Sequence, residues 1–231
     1  MCRMVGFIST EDKNVTPYFE ILKTQALHGK DAPHGDGWGV ACYNDGEFSI
    51  KKSSKPIWEN GKIDEIAKSA LLHARKASFG KASVLLSHPF VYDEKGKIWS
   101  FAHNGTIYNL SKTKKKGEID TQFYAEMFIE NLKDKDPLES VRTTVKTLID
   151  ISEDKYTSLN AIIVSDEMLM GWRYVKKVDD NYHTLFYEAC KNSLSISTEP
   201  PGNEWIAIKN GEYLLAKKNE LTIEFEVGNL F

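Results

Sequence analysis

The chain has 231 residues, 30 basic against 33 acidic side chains and a formal net charge of -3, with 41% hydrophobic and 27% charged positions. That length supports one substantial core, and the composition is that of a folded globular chain rather than a disordered one. The near-balanced charge gives no electrostatic bias toward nucleic acid or a membrane surface. No segment approaches the roughly 18 uninterrupted apolar residues of a membrane helix, and Met4 to Ile8 is too short for a signal-peptide core. The expected location is the cytoplasm, and the expected partners are small molecules or other proteins.

In chain order, Met4 to Ile8 predicts a buried strand, and Thr16-Pro17 followed by Phe19, Leu22 and Ala26 predicts a capped helix that stops near Gly29. WGVACY and EFSIKK flank Asn44-Asp45-Gly46 and predict a hairpin. A helix is expected over Ile63 to Ala70, then short strands at LLHAR, SVLL and IWSFAH. Asp120 to Leu132 has helical periodicity, and Asp136-Pro137 caps a second helix carrying Leu138, Val141, Val145 and Leu148. Strand patterns return at NAIIVS, MLMGWRYV, HTLFYEA and SLSIS, followed by a predicted hairpin EWIAIK-NG-EYLLAK and by LTIEFEV. Strands, a helix pair and strands again make an α+β plan of mainly antiparallel sheets with helices on their outer faces. With no internal repeat or linker composition, residues 1–231 read as a single domain.

Cys2, Cys42 and Cys190 are odd in number and outside CxxC pairs, and the six histidines form no HExxH, so neither a disulfide framework nor a metal site is expected. Cys2 has two readings. It is a small buried hydrophobe, or, if Met1 is removed, a residue whose thiol and free α-amine lie close together. With reference pKa values of roughly 8.5 and 7.7–8.0, that amine can accept the thiol proton. AHNGTIYN, residues 102 to 109, offers either a tight turn at Asn104-Gly105 or an oxyanion hole made by the Gly105 N–H and the Asn104 amide.

In LLHARKAS, Arg75 is a solvated strand end or a bidentate grip on a substrate carboxylate. In GEIDT, Asp120 is a helix cap or a carboxylate for a substrate ammonium. HGDGWG lacks dinucleotide-loop spacing, and Trp38 in it is expected to form a pocket wall. The lysine-rich SKTKKKG is a solvated loop rather than a nucleic-acid patch.

A cysteine directly after the initiator methionine, HGDGWG, HARKAS, SHPF, WSFAHNG and GEIDT occur in the order found in class II glutamine amidotransferases. The chain resembles the stand-alone branch of that family, by motif from Cys2 to about Phe128. The resemblance implies the N-terminal-nucleophile hydrolase fold, a four-layer α/β/β/α sandwich of two mainly antiparallel sheets. It implies Cys2 as nucleophile with its amine as base, and Asn104 and Gly105 as oxyanion hole. Arg75 would hold the α-carboxylate and Asp120 the α-ammonium of a glutamine-like substrate, with His88 and Ser78 lining the pocket. Arg75-Lys76 stands where the synthase-fused relatives carry Arg-Trp, and HGDGWG where they carry an arginine-glycine-proline-aspartate-serine stretch. Both departures bear on glutamine specificity.

The activity so implied is cleavage of a γ-glutamyl amide through a Cys2 thioester, with neither metal nor organic cofactor. Two other readings stand beside it: a glutaminase subunit that delivers ammonia to a synthase or amidase partner, and a non-catalytic binding protein that keeps the fold. A homodimer is allowed.

Overall fold

The structure is a computed structural model that describes residues 2–77, 81–110, 119–177 and 180–231. Its elements are β1 (Arg3–Asn14), α1 (Thr16–His28), β2 (Trp38–Asn44), β3 (Glu47–Ser53), β4 (Ile66–Ala74), β5 (Phe90–Glu94), β6 (Lys97–Asn104), α2 (Asp120–Leu132) and α3 (Pro137–Ile151). They continue as β7 (Asn160–Val164), β8 (Met168–Trp172), β9 (Leu185–Ala189), β10 (Ser193–Ser197), β11 (Ile206–Ile208), β12 (Glu212–Lys218) and β13 (Ile223–Asn229). One sheet has seven strands in the order β11-β9-β10-β1-β4-β2-β3, and the other has six in the order β13-β12-β8-β7-β6-β5. Every described ladder between these strands is antiparallel.

The strand period of two sorts β1 between two cores. Met4 and Ile8 face Leu71, Ile162, Leu169 and Ile196 between the sheets. Val5 and Phe7 face the opposite way, toward Phe19 and Leu22 of α1. A third apolar layer packs Tyr124 and Phe128 of α2 and Val141 and Leu148 of α3 against Phe101 and Trp172 of the six-stranded sheet. Buried on both faces from Arg3 to Ser9, the first half of β1 reads as a nearly continuous apolar run. The layer order is therefore helix, sheet, sheet, helices, as expected.

Four local expectations change. The segment read as a helix over Ile63 to Ala70 runs into β4, paired with β1 and β2. Its run of alanines and leucines suits either period, and a central position between two strands decides for strand. SVLL is not a strand; Val84–Leu86 form a 3-10 turn with Val84 and Leu85 exposed. Thr16 does not cap α1 but opens it, its hydroxyl donating to the Ile63 carbonyl at 2.6 Å.

EWIAIK-NG-EYLLAK is not a hairpin either, because β11 pairs with β9 while β12 pairs with β8 and β13. The Asn210-Gly211 reversal carries the chain from one sheet to the other. Gly211 has φ +85, and the Asn210 amide is tied to the Val175 backbone by bonds of 2.8 and 3.2 Å.

Candidate active site

Cys2 precedes β1 of one sheet, and Asn104 ends β6 of the other. The two meet through a reciprocal pair of hydrogen bonds: the Cys2 N–H donates to Asn104 Oδ1 at 3.0 Å, and Asn104 Nδ2 donates to the Cys2 carbonyl at 3.0 Å. Cys2 Sγ accepts from the Lys76 N–H at 3.4 Å and reaches the Lys76 carbonyl at 3.6 Å. Its thiol is therefore fixed by backbone, just beyond β4. Burial raises the thiol pKa, against the lowering effects of the Lys76 N–H and the Arg75 charge.

Asn104-Gly105 is not a hairpin turn, since the next pairing of this segment is an isolated bridge between Ile107 and Tyr156. Glycine is required at 105 by close approach: a Cβ there would stand 2.0 Å from the Ser158 carbonyl oxygen. Asp120 is the first residue of α2, and its carboxylate accepts the Ile107 N–H at 2.8 Å and the Thr121 N–H at 3.0 Å. It thus anchors the segment that leaves Asn104. Behind that segment, His103 Nε2 donates to the Ser158 carbonyl at 3.0 Å, so its Nδ1 accepts from the Thr121 hydroxyl at 3.0 Å. Burial lowers the His103 pKa, and the nearby Asp120 charge partly restores it.

Arg75 is buried just past β4, and its Nη1 donates to the Lys81 carbonyl at 3.2 Å. The HGDG loop clasps it: the Arg75 N–H donates to the Gly37 carbonyl at 2.8 Å, the Asp36 N–H donates to the Arg75 carbonyl at 3.0 Å, and the Asp36 carboxylate accepts the Ala77 N–H at 2.8 Å. Gly37 is at φ +114, where other residues are strained. Trp38 is the correction in this motif. It faces α1, packing edge-on to Phe19 at 5.3 Å, and belongs to the core on the far side of the sheet rather than to a pocket wall.

His88 is buried, its ring 4.1 Å from that of His73 and 5.0 Å from that of Phe90. Neither nitrogen of His73, nor Nδ1 of His88, has a hydrogen-bond partner among the described residues. Burial first, then neighbouring cationic and imidazole groups, holds both pKa values well below the ordinary histidine value. Ser78 lies outside the described residues.

A second set of residues around Cys2 goes unread in the motifs. Arg3 is fully buried; its Nη1 donates to the Cys2 carbonyl at 3.3 Å, and its Nη2 meets the Lys30 carbonyl and pairs with Glu199 at 2.5 Å. Its guanidinium carbon lies 5.6 Å from the Tyr182 ring centre. The Tyr182 hydroxyl donates to Asp31 at 2.7 Å, and Asp31 pairs with Lys76 at 2.8 Å. The signal in the sequence is a charge inside the apolar run MCRMVGFI, where a strand buried on both faces has no solvated position to offer it. Among the described residues no cluster of three His, Cys, Asp or Glu is arranged to hold a metal ion. No helix among them is long and apolar enough to cross a membrane.

A sandwich of this layering, with a cysteine before its first strand held by an Asn-Gly segment of the facing sheet, agrees with the N-terminal-nucleophile hydrolase fold that the resemblance implies. The model of the family "Glutamine amidotransferases class-II" matches residues 1–172. The chain belongs to the class II glutamine amidotransferases.

It is 25% identical to an uncharacterized protein of Methanocaldococcus jannaschii over 96% of this chain and 70% of that one. Among solved structures it is similar to the Bacillus subtilis glutamine phosphoribosylpyrophosphate amidotransferase, with a TM-score of 0.73 and 15% identity, covering 100% of this chain and 49% of that one. The chain thus spans about half the length of that enzyme. It is also similar to a glutamine aminotransferase class-II domain protein of Silicibacter pomeroyi, with a TM-score of 0.65 and 17% identity, covering 97% and 98% of the two chains.

Proposed function

We propose that the protein cleaves a γ-glutamyl amide, glutamine or a γ-glutamyl compound, through a thioester on Cys2. The observation that carries this reading is the reciprocal clasp of the Cys2 backbone by the Asn104 side chain, with Sγ held on the Lys76 backbone. Removal of Met1 turns the Cys2 nitrogen into an amine that accepts the Sγ proton. The thiolate attacks the side-chain carbonyl, the C–N bond breaks, and the amine's proton leaves with ammonia or the released amine. Water then attacks the thioester, releasing glutamate and restoring the thiol.

The tetrahedral oxyanion takes hydrogen bonds from the Gly105 N–H and from Asn104 Nδ2, which carries two hydrogens and commits one to the Cys2 carbonyl. Arg75 reads the substrate α-carboxylate. Asp120 receives the α-ammonium on oxygens that each accept one backbone N–H and keep a lone pair.

The test pairs intact mass of protein from its native host with glutamate release from glutamine and a panel of γ-glutamyl compounds, by wild type and Cys2→Ala. Loss of Met1 together with loss of all release in Cys2→Ala is expected. A retained Met1, or a Cys2→Ala rate equal to wild type, overturns the proposal. Release that appears only after a synthase partner is added would identify the protein as an ammonia-delivering subunit.

A further inference from the structure

Strand β13 is an edge. It pairs only with β12 among the described residues, so alternate N–H and C=O groups along it point away from the sheet. Its side chains alternate. Phe225 and Val227 stand opposite Ala216 and Leu214, two residues of the core between the sheets, yet they remain 47% and 40% exposed.

The facing sheet ends on the same side of the molecule, where Tyr187 of β9 lies 6.3 Å from Phe225. There Ile208 of β11 is fully buried, while Ile206, on the same face of that strand, is 55% exposed. The layer between the sheets is therefore bordered at this side by half-exposed apolar side chains and by a strand with one free edge among the described residues.

The opposite face of β13 carries Glu224 and Glu226, both exposed; Lys217 of β12 stands directly opposite Glu224, and Glu226 accepts the Tyr213 hydroxyl at 3.0 Å. Toward its end the strand is closed off, because Arg142 holds the carbonyls of Asn229 and Leu230. The free stretch is thus 223–228. A second copy pairing two-fold within it, centred on residue 225 or 226, would set glutamate against glutamate, and like charges directly opposite disfavour a ladder.

We propose that β13 is the docking edge for an extended segment of a partner protein, one that alternates apolar residues with lysine or arginine. Its backbone continues the six-stranded sheet, its apolar residues cover Phe225, Val227 and Ile206, and its cations face Glu224 and Glu226. The site lies on the C-terminal strands and stands apart from Cys2 and its chemistry.

The experiment follows amide hydrogen exchange of the full chain with an eight-residue peptide alternating valine and lysine, and with its valine–glutamate counterpart. The valine–lysine peptide is expected to slow alternate amides within 223–228. The double substitution Glu224→Lys and Glu226→Lys should weaken its binding about tenfold. Unchanged exchange at β13, equal binding of the two peptides, or protection at another edge instead overturns the proposal. So does concentration-dependent protection of β13 in the protein alone, matched by a dimer in sedimentation, which assigns the edge to a second copy.

Discussion

Cys2 is gripped by two arms of different construction. From the six-stranded sheet comes a short neutral arm, Asn104-Gly105, in which side-chain amide and backbone fit at hydrogen-bond distance and Asp120 ties down the backbone at Ile107. From the first residue of β1 and the loops of the seven-stranded sheet comes a charged arm, Arg3 with Glu199 and Lys30, continued by Lys76, Asp31 and Tyr182 toward solvent. The neutral arm tolerates no side chain at Gly105, where a Cβ would run into the Ser158 carbonyl. The charged arm grades from a fully buried guanidinium to a half-exposed ion pair, and the cost of breaking it should grade likewise.

The largest effect is expected at Gly105. In Gly105→Ala the new methyl meets the Ser158 carbonyl at 2.0 Å, which only a backbone shift can relieve. Glutamate release should fall by more than about 10³-fold, with a clear drop in Tm. Asn104→Ala keeps the backbone path but removes both hydrogen bonds to Cys2 and, on the proposed mechanism, one oxyanion donor, so about 10² to 10³ should be lost from kcat. If Gly105→Ala retained wild-type activity, the tight fit of this arm would not be what positions Cys2.

On the charged arm the heaviest loss should come from Arg3→Ala. The substitution strips the Cys2 and Lys30 carbonyls of a donor and leaves the Glu199 carboxylate without its buried partner. A cost of about 2–4 kcal/mol is expected, the upper range for a broken buried pair being reduced because Glu199 is 26% exposed. Urea unfolding measures it. Arg3→Lys should recover only part of the loss, since an ammonium cannot bridge three acceptors as a planar fork does.

The two arms also differ in how far the amino-acid sequence reveals them. Asn104, Gly105, Arg75 and Asp120 stand in short motifs whose residue types carry their chemistry, and the structure brings Asn104 onto Cys2 and Asp120 onto the adjoining backbone. Arg3, Asp31, Tyr182 and Glu199 are scattered along the chain and meet only because β10 pairs with β1 and delivers Glu199 beside Arg3. Trp38 shows the opposite failure. Its motif is placed correctly at a strand start, but the strand's parity turns the ring toward α1. The layered plan is legible because hydrophobic period is a local property. The partner chosen by a strand is not local, and this is why the Asn210-Gly211 turn separates β11 from β12 instead of joining them.

Beneath both arms, the buried imidazoles make a contrast that pH can probe. His103 has a partner for each ring nitrogen, whereas His73 has none among the described residues. An unfolded histidine titrates near 6.5, while His73 and His88 are held neutral to well below that, and His34 to about 4. Between those values the unfolded chain binds more protons, so stability is intact above about pH 7 and falls as pH drops through 6.5. Each of these histidines should contribute about 1.4 kcal/mol per pH unit in that window. Urea midpoints at pH 7, 6 and 5 should therefore fall steeply for wild type and less steeply for His73→Asn; an unchanged slope would show that His73 is not held neutral.

The smallest effect is expected at the outer end of the charged arm. Lys76 touches Cys2 Sγ through its backbone, while its ammonium pairs with Asp31 at 2.8 Å in a setting where the two side chains are 31% and 53% exposed. Solvent screens such a pair and the long side chain loses entropy in forming it, so Lys76→Ala should cost no more than about 1 kcal/mol. The backbone contacts to sulfur survive the substitution, and glutamate release should stay within about threefold of wild type at saturating substrate. The pair would then serve to hold the Asp31 turn and Tyr182 against the Cys2 side of the molecule. A large loss of kcat in Lys76→Ala, with Tm unchanged, would instead place its ammonium in contact with the reacting substrate, and the division between a strict neutral arm and a permissive charged one would fail at its outermost residue.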